Sequence, residues 1–270
     1  MRTKLAAALL PAIALSGCLQ STTLIKVNAD GSGTLENETL MTSTALAQLR
    51  QLTRAFGGAD AKPLDPFSED QARTLAGQMG EGATLVSSMP IKTAMGEGRA
   101  STYGFRDITK LRVSQVPARP GDAAVGFGAI GNLDAQVTID LARTPAGNAL
   151  LTLHMPGDSV AMLLSQTGSL NRRSGQVAPD QMVMMRDMLA GMQIALRVEP
   201  LGRLVGTNSP YVDGQTVTLF DVNVDALMRD EQAFNRLQSA KTPADMAEAL
   251  KNVPGVKIAA QRDITIEFAP

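Results

Sequence analysis

A single cysteine in 270 residues, Cys18, is the feature that most restricts how this chain can fold. No disulfide can close within it, so the fold must be held by buried apolar side chains and backbone hydrogen bonds. The composition can supply that. Hydrophobic residues make up 44% and charged residues 19%, the balance of a globular chain rather than a disordered one. The cysteine also closes an N-terminal pattern. Met1-Arg2-Thr3-Lys4 is basic, and Leu5 to Leu15 is apolar apart from Pro11. That run falls short of the roughly 20 residues needed to cross a bilayer and has the proportions of an export-signal core.

Leu15-Ser16-Gly17-Cys18 resembles the lipobox of bacterial lipoproteins: a leucine, two small residues and the cysteine. The resemblance implies that residues 1–17 are a signal peptide and that the Cys18 thiol receives a diacylglycerol group. It also implies a cut just before Cys18, where small side chains pass the peptidase. Cys18 is then the lipid-attachment residue, and its acyl chains, palmitate among them, hold the protein to the membrane at ~0.8 kcal/mol per buried methylene. Leu19 stands where an aspartate commonly marks inner-membrane retention. In a Gram-negative cell this resembles the sorting pattern for the outer membrane, facing the periplasm. Residues 18–22 read as the acylated anchor and a short tether. Residues 23–270 read as one α+β domain, with two lobes about residues 112–131 as the alternative.

Loss of Arg2 and Lys4 with the signal leaves 23 of the 25 basic residues against 26 acids. A mature chain near −3 offers no electrostatic footprint for nucleic acid or for an anionic membrane surface. With no Trp, two Tyr and seven Phe, the chain is also poor in the exposed aromatic faces that base stacking and sugar platforms use.

Along the mature chain, Thr23 to Asn28 alternates, with Ile25 and Val27 on one face. Asp30-Gly31-Ser32-Gly33 suits a tight hairpin turn, and Leu35 to Met41 returns from it. Thr42 or Ser43 can cap a helix to Phe56. Ser68 starts a second, to Met79, with Glu69 and Asp70 in its first turn. Strands follow over 83–93 and 99–107, joined by Gly96-Glu97-Gly98, and then a Gly- and Pro-rich loop over 112–131. Leu133 to Leu141 and Ala149 to Met155 form a hairpin across Thr144–Asn148. A Met-rich helix runs from Asp180 to Met192, with strands at 194–198 and 216–222 and helices at 225–237 and 243–252. The chain closes on one strand from Val256 to Phe268, with Ile264, Ile266 and Phe268 facing inward. Hairpins interleaved with helices predict an α+β fold, a largely antiparallel sheet built from hairpins and covered by several helices.

Motifs that suggest chemistry lack their context. Gly126-Phe127-Gly128-Ala129-Ile130-Gly131 matches G-x-G-x-x-G, but no strand leads into it and no acid lies in residues 145–155 to hold a ribose. Gly157-Asp158-Ser159-Val160 faintly resembles the nucleophile block of the GDSL hydrolases. His154, the only histidine, stands outside the D-x-x-H setting of that family. Asp30, Ser32 and Thr34 alternate like a calcium loop, but Met41 occupies the twelfth position where a glutamate belongs. With one His and no second Cys, zinc is disfavoured. Met182, Met184, Met185, Met188 and Met192 crowd one helix; core packing is the first reading, and a pliable surface for lipid or protein the second.

Leu24-Ile25-Lys26-Val27-Asn28-Ala29-Asp30-Gly31-Ser32-Gly33-Thr34 resembles the opening of a group of uncharacterised predicted bacterial lipoproteins, and the stretch from Thr207 to Val217 adds to the likeness. More distantly it resembles the LppM-type envelope lipoproteins of mycobacteria, whose domains also open on a hairpin after the lipobox. The resemblance implies an extracytoplasmic, non-enzymatic domain without cofactor, metal or catalytic residues. Its partners would be the membrane, through acylated Cys18, and an envelope protein or lipid. An apolar-ligand carrier and an envelope hydrolase are the competing expectations.

Overall fold

The fold is known from a computed structural model that describes residues 19–47, 50–51, 65, 67–114, 136–155, 191–230, 232–233, 235–236, 243–259 and 261–270. Residues 1–18, with Cys18 and the expected signal, lie outside the described residues. So do the glycine motif at 126–131, the 157–160 block, most of the 112–131 loop and nearly all of the Met-rich stretch.

The first hairpin forms where the alternation places it. Strands β1 (Leu19–Val27) and β2 (Gly33–Thr42) pair antiparallel, Ile25 opposite Leu35 and Val27 opposite Gly33. At the turn, an Asp30 carboxylate oxygen accepts from the Ser32 amide at 2.9 Å and the Ser32 hydroxyl at 2.6 Å. These bonds hold the Asp30 carboxyl below the ordinary range and make the segment an Asx-type turn. Gly31 sits at φ +88°, and a Cβ there would press on Leu141, so glycine serves both the backbone and the packing. Strand β1 begins four residues earlier than the alternation indicates. Residues 19–22, assigned above to a tether, are hydrogen-bonded sheet.

Ser68 caps helix α1 (Glu69–Gln78) by accepting from the Gln71 amide, and residues 43–47 form a short helix after β2. Strands β3 (Thr84–Lys92) and β4 (Gly96–Phe105) turn at residues 93–95, not at the glycines. Gly96 and Gly98 lie inside β4, where a Cβ would strike the Met41 and Thr39 carbonyls. They are there for close approach to β2. A 3₁₀ turn (Ile108–Lys110) and a two-residue strand β5 (Val113–Ser114) follow. Next come β6 (Gln136–Arg143), β7 (Ala149–His154), β8 (Gln193–Pro200), β9 (Arg203–Thr207), β10 (Val212–Asp213) and β11 (Thr216–Asn223). Helices α2 (Val224–Arg229) and α3 (Pro243–Leu250) precede β12 (Val256–Ile258) and β13 (Asp263–Ala269).

These strands make two sheets. The larger runs β10-β11-β8-β1-β2-β4-β3, with β12 also paired to β11, and the smaller runs β5-β6-β7-β13-β9. All pairings are antiparallel except β1 with β8. The single closing strand of the sequence reading is therefore two: β12 completes the large sheet and β13 runs through the middle of the small one. One core joins the sheets. Ile25, Val27, Leu35, Tyr103, Phe105, Leu196, Val198 and Leu219 of the large sheet cluster with Val137, Ile139, Leu151, Leu153, Ile264, Ile266 and Phe268 of the small one. The chain is thus sheet-rich and mostly antiparallel. Among the described residues, the inward side of each sheet meets the other sheet across this core as its apolar layer. The described helices add to its margins, α1 through Ala76 and Met79. The core draws on both sides of residues 112–131. No described helix is long and apolar enough to cross a membrane.

Candidate functional site

Two polar constellations stand out, one on each sheet. On the small sheet, His154 ends β7 on the face turned away from the core. Pairing sets Asp263 of β13 directly opposite it and Asp140 of β6 diagonally beside it, two residues beyond its partner Thr138. Such diagonal neighbours lie within reach of a long side chain. Nδ1 of His154 lies 2.8 Å from an Asp263 carboxylate oxygen and Nε2 2.9 Å from one of Asp140. Hydrogen bonds to Asp140 and Asp263 raise the His154 pKa above its ordinary value, because both favour the imidazolium. The imidazole thereby ties β6, β7 and β13 together. Asn208 extends the tie, donating to the Asp263 carbonyl and accepting from the Thr265 amide, both at 2.9 Å.

The chemistry open to this cluster is narrow. A general base or a metal ligand must turn a free ring nitrogen toward its target, and both nitrogens of His154 face carboxylates. Among the described residues no group of three or more His, Cys, Asp or Glu is placed to hold a metal ion. Sequence reading takes His154 as structural or incidental and names no partner for it, since the two carboxylates are 14 and 109 positions away. Only strand register brings them together.

The second constellation crosses the inner face of the large sheet. Strand register aligns Thr23, Asn37, Ser101 and Ser88 in one row, and Ser21, Thr39, Arg99 and Pro90 in the next. Asn37 donates to Thr23 Oγ1 at 3.0 Å and accepts from Thr39 Oγ1 at 3.1 Å. The Ser88 and Ser101 hydroxyls are 3.1 Å apart. Arg99 donates to Ser88 Oγ at 2.8 Å and, through Nε, to the Phe67 carbonyl. Tyr103 stands at the belt's border with the core, where burial raises its pKa above the ordinary phenol value. The belt divides two apolar clusters on one sheet face: the main core, and a small cluster of Met41, Ala45 and Leu46 with Leu19 and Phe67 against it. Alternation marks these polar residues as inward but cannot say that they satisfy one another.

Cys18, the one site residue marked by the sequence, lies outside the described residues. Its neighbour Leu19 opens a strand held on both sides, by β2 and by β8.

Similarity searches add little to this geometry. The folded domain of LppM from Mycobacterium tuberculosis is similar to this chain at 12% identity and a TM-score of 0.29, over 74% of this chain and 80% of that one. An overlay that loose transfers neither a sheet arrangement nor a residue's role. No family model and no curated protein matches the chain.

Proposed function

We propose that this protein is a lipoprotein of the bacterial cell envelope, anchored through acylated Cys18, whose domain acts by binding or structural support rather than by catalysis. The observation that carries the reading is that the residue after the lipobox cysteine already belongs to the sheet. Strand β1 (Leu19–Val27) includes the residue directly after the cysteine and runs through the interior of the large sheet. A cut before Cys18 leaves every residue of that strand in place and puts the acyl chains on its first neighbour. The engagement of both His154 ring nitrogens supports the non-catalytic part, since it occupies the chain's only imidazole.

Mass spectrometry of the protein purified from membranes tests the anchor. The expected N-terminus is a diacylglyceryl-modified Cys18, and Cys18→Ala should lose that mass and leave the membrane fraction. Acylation elsewhere, or a cut before residue 18 that persists in Cys18→Ala with full membrane retention, would refute the reading. The same preparation, analysed for co-purifying proteins and lipids, separates a protein partner from an apolar ligand carried in the domain.

A further inference from the structure

The anchor reading, combined with the sheet register, assigns one end of the molecule to the membrane. Leu19 pairs with Met41, Met41 with Glu97, and Glu97 with Lys92. The first residue after the lipid-bearing cysteine therefore lies on the same rim as the β3–β4 turn. With neighbouring strands about 4.8 Å apart, that turn is roughly 10–15 Å from the anchor along the rim. The turn presents Met95, 58% exposed. Beside it the Lys92 side chain is 78% exposed, its ammonium 4.0 Å from Glu97, whose other oxygen takes Arg50. An exposed methionine with a lysine able to extend its amine toward phosphates fits the boundary between acyl chains and headgroups. The tip is also firmly built. The Thr93 hydroxyl accepts from the Met95 and Gly96 amides, and the Met95 carbonyl accepts from the Ser43 amide.

We propose that this rim sits on the bilayer, with Met95 inserted at the headgroup level beside the acylated Cys18 and the strands of the large sheet rising from the surface. No spacer lies between Cys18 and β1, so the anchor fixes which end of the sheet meets lipid. A strand from another chain is the rival occupant of this region, since Met89 and Val86 of edge strand β3 are also exposed. That edge is blunted. Its ladder shifts register between Leu85 and Ser87, and Pro90 supplies no amide donor. Lipid contact at the tip needs no free edge.

The inference rests on the proposed acylation of Cys18, and the test keeps the two separable. Acylated full-length protein, its lipid mass first confirmed, would carry one introduced cysteine: Met95→Cys, Met89→Cys or Arg106→Cys. Acylation consumes the Cys18 thiol, so each variant has one site for a bimane fluorophore. The labelled proteins go into nanodiscs of phosphatidylethanolamine and phosphatidylglycerol containing headgroup-nitroxide or tail-nitroxide lipid. Headgroup quenching should be several-fold stronger at position 95 than at 89 and absent at 106, at the far end of β4. Quenching that is uniform along the strands would lay the sheet flat, and its absence at 95 would lift the rim from lipid. Either result overturns the proposal while leaving the acylation intact. A missing lipid mass would instead defeat the anchor reading before any label is placed.

Discussion

The two halves of the large sheet's inner face are built from the same strands yet hold together by different chemistry. Toward the β1–β2 turn, the face presents Ile25, Val27, Leu35, Tyr103 and Phe105, all buried against the small sheet. Toward the Leu19 end, the same alternation delivers Ser21, Thr23, Asn37, Thr39, Ser101 and Arg99; of these, Asn37 bonds Thr23 and Thr39, Ser101 meets Ser88, and Arg99 reaches Ser88 and the Phe67 carbonyl. The first half gains from water excluded by a matching layer. The second must satisfy each polar group it removes from water. A pleated strand thus dictates which side chains face inward and leaves open what meets them there.

The largest effect should come from the apolar half. Phe268→Ala removes a fully buried ring from the small sheet's contribution to the shared core and should cost ~3–5 kcal/mol, measured by urea denaturation. Against a total of ~5–15 kcal/mol, that is a large share. A loss below ~1 kcal/mol would mean that the sheets do not depend on each other.

The polar half should respond with a different signature. Asn37→Ala strands the Thr23 and Thr39 hydroxyls and should cost ~1–3 kcal/mol, whereas Asn37→Leu with Thr23→Val removes the donor and acceptor of the Asn37–Thr23 bond together, leaves only the Thr39 hydroxyl unpaired, and should cost less than the single change. If the double variant is the worse of the two, the belt is held by more than its internal bonds. Arg99→Met tests the belt's margin. It unties Ser88 and the Phe67 carbonyl and should lower stability by about 1–2 kcal/mol, with little effect on the small sheet's hydrogen exchange.

The smallest effect concerns pH and the outer face of the small sheet. The folded-state pKa of His154 is raised, so its contribution is complete below the unfolded value of about 6.5 and fades as pH climbs through the folded value. The melting temperature of wild type minus that of His154→Gln should therefore be greater near pH 5.5 than near pH 8.5. The side chain is 39% exposed, which makes the difference modest. A difference that grows with pH would reverse the assignment of His154 as a cation held by Asp140 and Asp263.

Legibility from sequence followed the range of the interaction. The first hairpin, the Ser68 cap, the 136–154 hairpin and the inward set Ile264, Ile266 and Phe268 all rest on contacts within a few residues, and the chain states those locally. Strands β9 and β10 were missed, since neither is apolar enough to announce itself. β12 and β13 were merged because no turn signal shows that they part for different sheets. The glycines of β4 were read as a turn because a sequence records their freedom and not the carbonyl that crowds them. The partners of His154, read as structural or incidental, could not be named because its carboxylates are supplied by β6 and β13.

What the sequence alone determined was local and chemical. It showed a chain without disulfides, a cysteine at the end of a signal-like run, the alternation of each hairpin, and which side chains turn inward. Tertiary structure decided which layer covered them. β1 and β8 pair in parallel across more than 160 positions of sequence, and among the described residues a second sheet meets the inward face of the first. Side-chain alternation carries a period but no address. An apolar face is equally satisfied by helix or sheet, and a histidine by any carboxylate that the register brings within 3 Å. Only the closing of strands from distant parts of the chain selects among them.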